Sequence, residues 1–364
     1  MKNIKKIFFT LIMLIVAGSL LTACSGGAGI PSSWAGLTLD SDAELVYLAS
    51  GMHIYAINLS NGTEKWRFPQ KADNKINFFA APEIAEGGQL IAGSYNHSLY
   101  SINTADGQQK WVFNGANDKY VGSSLAAPGA IYAPNVNYNL YALDANGSLR
   151  WSFASKQALW AKPIEYDGKL LVASMDHHVY ALDPENGAQL WVTDDLGGAI
   201  TSSFALGEDG VLYVGTLGAD MSAVDVSNGT ILWVTSVKGW VWSKPAQAEG
   251  LIFLGDQEGY VSALDAQTGS VRWQIQPDAG PNRAVISAPV VNETTLYFAS
   301  QAGVLYAVEA ATGNALWNKP IGGKIYSDLI QAGDTLLIAP LEYEAALVAV
   351  DLQGNNRWMF TPAK

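Results

Sequence analysis

Eight tryptophans recur along this chain, each with a glycine four residues before it. The pairs are Gly62 and Trp66, Gly107 and Trp111, Gly147 and Trp151, Gly187 and Trp191, Gly229 and Trp233, Gly269 and Trp273, Gly313 and Trp317, Gly354 and Trp358. Successive tryptophans are 45, 40, 40, 42, 40, 44 and 41 residues apart. A self-similarity sustained eight times at this period marks a repeat architecture, and it overrides any domain count drawn from the length of 364 residues.

Each unit can be read locally. An apolar run such as LYALD ends in Asn58, Asn103, Asp144, Asp183, Asp225, Asp265, Glu309 or Asp351. A short polar side chain accepts hydrogen bonds from turn N–H groups, and the glycine that follows supplies a positive φ. The run and the tryptophan segment therefore form a hairpin. Upstream, phrases such as PIEYDGKLLVAS (163–174) and PVVNETTLYFAS (289–300) give two more strands around a polar turn. Four strands in about 40 residues make one propeller blade. The expected fold is an all-β, eight-bladed propeller of four antiparallel strands per blade, spanning residues 34–364 from Trp34 onward. Composition agrees: 36 glycines, 12 tryptophans, 16 tyrosines and only 15% charged residues suit short strands and tight turns rather than helices.

In this reading Trp66, Trp111, Trp151, Trp191, Trp233, Trp273, Trp317 and Trp358 are structural. One four-stranded sheet cannot bury both of its faces, and a large indole once per unit would wedge between neighbours into a continuous ring core. A stacking platform for sugars is the rival role, but a fixed turn offset is what packing demands. No terminal strand is left over to complete the opposite end. Ring closure is therefore expected from packing of the first blade on the last, or from a one-strand phase shift.

The N-terminus carries Lys2, Lys5 and Lys6, then an uncharged apolar run over 7–21, then LTAC ending at Cys24. Fifteen apolar residues are short for a membrane span and right for a signal-peptide core. Residues 1–23 read as a signal peptide, and LTAC resembles a bacterial lipobox, which implies acyl chains on Cys24. SGGAGIPSS then reads as a flexible tether over 24–33, holding the folded body off a lipid bilayer. Cys24 is the sole cysteine, which excludes disulfides within the chain, a Cys-ligated metal and cysteine nucleophilic catalysis. Removal of the three leader lysines leaves 18 basic against 33 acidic residues, a net charge of −15, so no nucleic-acid partner is expected.

The pattern Y-A-[LIV]-D-x-x-x-G-x-x-x-W resembles the repeat of the PQQ-like β-propellers, over essentially the whole of residues 34–360. Lipobox, length and blade number together resemble the BamB-type outer-membrane assembly lipoproteins of that group. The resemblance implies a non-catalytic scaffold that binds protein partners in the cell envelope, including the barrel-inserting subunit, and no contact residue is carried over. The expected place is extracytoplasmic, at the periplasmic face of an outer membrane or the outer surface of the cytoplasmic membrane. Ser25 is not the aspartate that retains many lipoproteins at an inner membrane. The alternatives are a PQQ-dependent quinoprotein-like oxidoreductase and a surface lipoprotein binding peptide or sugar. Against the oxidoreductase, the chain lacks the large insertions and the adjacent cysteine pair of alcohol-oxidising quinoproteins. No Glu/Asn/Asp calcium site is apparent either, so neither quinone nor calcium is expected as a cofactor.

In a propeller the D–A and B–C loops share the face where each innermost strand begins, beside the central channel. Aligned there, the repeats place Phe79, Trp160, Thr201, Trp242, Ile286 and Tyr326 at the mouth. Ala81, Ser124, Lys162, Ser203, Lys244, Ala288 and Asp328 follow two residues later. WAKP and WSKP thus bring two aromatics and two lysines to the channel. Phe79, Trp160, Lys162, Trp242, Lys244, Tyr326 and Asp328 are the candidate binding residues, for a peptide strand or an anionic ligand. The plainer reading is that the aromatics plug the channel and the lysines are solvated. The longest connections, at 69–79 and 277–286, extend the same face. His177 and His178 are adjacent beside Asp176; neighbours on a strand point to opposite faces, which favours an exposed turn over a metal site. No catalytic motif is present.

Overall fold

The computed structural model describes residues 34–363 apart from 208 and 279. The expected signal peptide, Cys24 and tether lie outside the described residues. Eight four-stranded antiparallel sheets follow one another along the chain as the blades of an eight-bladed β-propeller, each built from one continuous segment. Strands are lettered A to D from the channel outward. Blade 1 runs Gly36–Asp40, Leu45–Ser50, His53–Asn58, Glu64–Phe68, and blade 8 runs Ile330–Ala332, Thr335–Ile338, Leu347–Asp351, Asn356–Phe360. Blade 8 adds a small strand pair, Lys324–Ile325 with Pro340–Leu341.

Burial explains the lettering. Strands B and C are apolar and buried on both faces, as in LVYLAS and HIYAIN of blade 1, whereas strand D alternates exposed and half-buried positions. The C–D turns form as read from sequence: Asp144 accepts from the N–H groups of Asn146 and Ser148, and Asp351 from those of Gln353 and Asn355. In every blade the C–D pairing slips by one residue just before the tryptophan, a β-bulge that presents the preceding side chain to solvent.

The strict glycine has a second cause beyond its positive φ. A Cβ on Gly107 would stand under 3.0 Å from the indole of Trp66, the tryptophan of the preceding blade, and Gly147 meets Trp111 in the same way. Each indole lies flat over the next blade's turn, so glycine is needed for shape as well as for backbone conformation. Seven of the eight indole N–H groups also donate to a carbonyl of the next blade, as Trp66 does to Thr104 at 2.9 Å and Trp273 to Ala310 at 2.8 Å.

The ring closes by face packing, with no exchanged strand and no phase shift among the described residues. Trp358 of blade 8 covers Gly62 of blade 1 and donates to the Leu59 carbonyl. Leu37, Val46, Leu48, Tyr55 and Ile57 join Leu337, Leu347 and Phe360 in one apolar cluster. Blade 1 meets blade 8 through the same indole-on-glycine contact that joins sequence neighbours.

Candidate functional site

The residues two to four positions ahead of each inner strand come to one place. Trp34, Phe79, Gly122, Trp160, Thr201, Trp242, Ile286 and Tyr326 all line a cavity of about 190 Å³ at the channel mouth, together with Lys162, Lys244 and Asp328. A chain of ring contacts crosses the channel from Phe79 through Trp34 and Trp242 to Trp160. Trp34 stands edge-on to Phe79 at 6.4 Å between ring centroids and to Trp242 at 5.3 Å, and Trp242 stands edge-on to Trp160 at 6.3 Å. Phe79 stacks on Tyr95 at 3.7 Å, and the Lys119 ammonium lies over Tyr95. Edge-to-face pairs of this kind stabilise by about 0.5–1.5 kcal/mol each beyond their burial.

Below the rings the polar groups are sparse. Lys162 of blade 4 reaches past blade 3 to Glu83 of blade 2 at 2.6 Å, so it is ion-paired rather than simply solvated. Asp328 accepts from the Ala288 N–H at 2.9 Å. Its side chain is exposed to the channel lumen. Desolvation raises its pKa, while the Ala288 hydrogen bond and the charge of Lys244 oppose the rise. Lys244 and Asp328 stand where the mouth cavity meets a larger one of about 1010 Å³ that opens toward the opposite, A–B and C–D face. The two cavities share Leu37, Lys244 and Asp328, and apolar and polar side chains line both.

Ser203 and Ala81 line the mouth cavity and Ala288 the larger one, whereas Ser124 is buried and lines neither. His177 and His178 turn to different partners: Nδ1 of His177 meets Asp195 at 3.2 Å, and Nδ1 of His178 meets the Thr193 carbonyl at 2.9 Å. Among the described residues no three His, Cys, Asp or Glu side chains gather as a metal site.

Sequence alignment of the inner strands missed Trp34 at the mouth, although WAG at 34–36 stands in the register of WAKP and WSKP. It also missed three exposed aromatics around the mouth: Tyr138 and Tyr343 in B–C loops and Trp240 in the loop entering blade 6, at 45%, 38% and 55% exposure. Trp240 had a signal, because it is the one tryptophan that belongs neither to the Gly-x-x-x-Trp register nor to the start of an inner strand. Exposed aromatics on loops are the residue type most enriched at protein interfaces.

A family model described as outer membrane protein assembly factor BamB matches residues 26–157, 124–201 and 175–363. The chain belongs to the BamB family. Among solved structures, BamB from Moraxella catarrhalis superposes with a TM-score of 0.70 at 18% identity, over 87% of this chain and 96% of that one. The computationally designed Ika8 protein superposes with a TM-score of 0.71 at 12% identity, over 92% of this chain and 98% of that one. At such identities the likeness is one of fold, and a designed ring matching as well as a BamB shows how much of it belongs to the repeat. No curated protein matches the sequence.

Proposed function

We propose that this BamB-family propeller is a non-catalytic protein-interaction scaffold of outer-membrane protein assembly, anchored to a bilayer through acylated Cys24. The mouth face is its recognition surface. The observation that carries the reading is the pairing of a family match along residues 26–363 with a channel mouth crossed by its own aromatic rings. The loops around that mouth are accessible and present Tyr138, Trp240 and Tyr343.

A calcium-bound quinone does not fit the residues present. Rings within 5.3–6.4 Å of one another crowd the mouth, and its charged groups are two lysines and one aspartate among serine and threonine hydroxyls, a set with a single carboxylate for a calcium ion. On this reading the partner class is protein. Affinity capture of the full-length lipoprotein from solubilised membranes tests it. A barrel-assembly subunit should co-purify with the wild type and be lost with Trp240→Ala. Stoichiometric uptake of quinone with a visible chromophore would contradict the reading.

A further inference from the structure

The eight outer strands are sheet edges whose backbone groups face solvent, and an unprotected edge recruits other strands. The chain protects most of its edges with charge. The bulge residue before each tryptophan is Lys65, Lys110, Arg150, Arg272 or Arg357 in five blades, all exposed. In blades 4, 5 and 7 it is Leu190, Leu232 or Leu316. Only blades 4 and 5 are apolar on both sides of the tryptophan, with Leu190 and Val192, and Leu232 and Val234, exposed at 51%, 39%, 51% and 51%. The unguarded edges are neighbours in the ring. Blade 5 offers the longer one: strand D is Ile231–Ser236 against Gln189–Val192 in blade 4. Six residues span about 20 Å, enough for a regular ladder.

We propose that strand D of blade 5 is a docking edge for an extended segment of a partner protein in which apolar and cationic side chains alternate. Backbone pairing would supply affinity and side chains on one face would meet Leu232 and Val234. Charge selects the occupant. The chain without its leader carries a net −15, and Asp220 and Asp225 bound the adjacent strand C, so a cationic strand is attracted while a second copy of this chain is repelled. The inference depends on the scaffold reading only in that the protein binds polypeptide, and it concerns the rim rather than the mouth face.

The probe is a fluorescein-labelled heptapeptide alternating lysine and valine, titrated into the full-length protein and followed by anisotropy. Saturable binding is expected, weakened at least tenfold by Leu232→Arg and unchanged by Leu316→Arg on the isolated blade 7 site. Arginine or lysine already occupies the same bulge in five blades, so Leu232→Arg should fold, as its thermal midpoint will report. Should it not fold, the same peptide N-methylated at alternate residues, which keeps its side chains but loses one hydrogen-bonding edge, must fail to bind. Absence of binding, equal loss in the Leu316→Arg protein, equal affinity for a glutamate–valine peptide, or a dimer in sedimentation abolished by Leu232→Arg would each overturn the proposal. Membrane capture through Trp240 can fail while this binding holds, and the reverse, so the two readings are separable.

Discussion

The indole N–H of Trp358 donates to the carbonyl oxygen of Leu59 at 2.9 Å, joining residues 299 apart in sequence. This is the bond Trp66 makes to Thr104, with the last blade in place of the preceding one. Trp358→Ala removes it together with the cover over Gly62; Trp358 is half-buried, so the loss should fall toward the low end of the range of about 3–5 kcal/mol for truncating a buried aromatic. Trp358→Phe keeps much of the packing and should cost only the hydrogen bond and part of the area, about 1–2 kcal/mol. Urea unfolding of the two variants checks the order.

Two glycines with nearly the same backbone separate strain from crowding. Gly129 has a φ of 71° and nothing within 4 Å of the place a methyl group would occupy, whereas Gly147 has a φ of 82° and the Trp111 indole in the way. Gly129→Ala should cost about 1–2 kcal/mol, the left-handed penalty alone. Gly147→Ala should add about 1–3 kcal/mol of overpacking. Equal midpoint shifts in thermal unfolding would mean that the indole yields.

Trp34 precedes the first strand yet lies against Trp242 of the sixth blade's entry. Loss of two edge-to-face pairs in Trp34→Ala should cost about 1–3 kcal/mol. It should also shift tryptophan emission to the red as water reaches Trp242 and Trp160, with fluorescence and unfolding read on the same sample.

Acid should weaken the turns. Asp265 is pulled down to about 2 by the Arg272 guanidinium first and by the Thr268 hydroxyl and N–H, and Asp225 is lowered chiefly by Ser227. A carboxylate whose folded pKa lies below its unfolded value of about 3.9 contributes stability that is present above that value and lost as pH falls through the folded one. The Asp265 contribution should therefore fade between about pH 4 and pH 2, and Asp265→Asn should flatten the stability profile in that window. Urea midpoints at half-unit pH steps give the comparison.

Blade count, strand order and four of the mouth aromatics, Phe79, Trp160, Trp242 and Tyr326 but not Trp34, were legible because they are local or periodic: an apolar run, an Asx turn, a glycine and an indole specify one blade without reference to the others. What was illegible depends on contacts across the ring. The bond from Trp358 to Leu59, the crossing of Trp34 to Trp242 and the reach of Lys162 over blade 3 to Glu83 join positions that no local phrase relates. Glycine sits between these cases. Its turn role could be read from DANG at 144–147, but its second role, as the floor under the preceding blade's indole, required the neighbour.

The central claim is that the loops around the channel mouth bind a protein partner. Site-specific photocrosslinking in intact cells, with a photoreactive amino acid placed at Trp240 and, as a control, at Gly129 on the opposite A–B turn, tests it most directly. The account predicts one abundant adduct from position 240 to a barrel-assembly subunit and none from position 129. No adduct from 240, or adducts of equal yield from both positions, would contradict it.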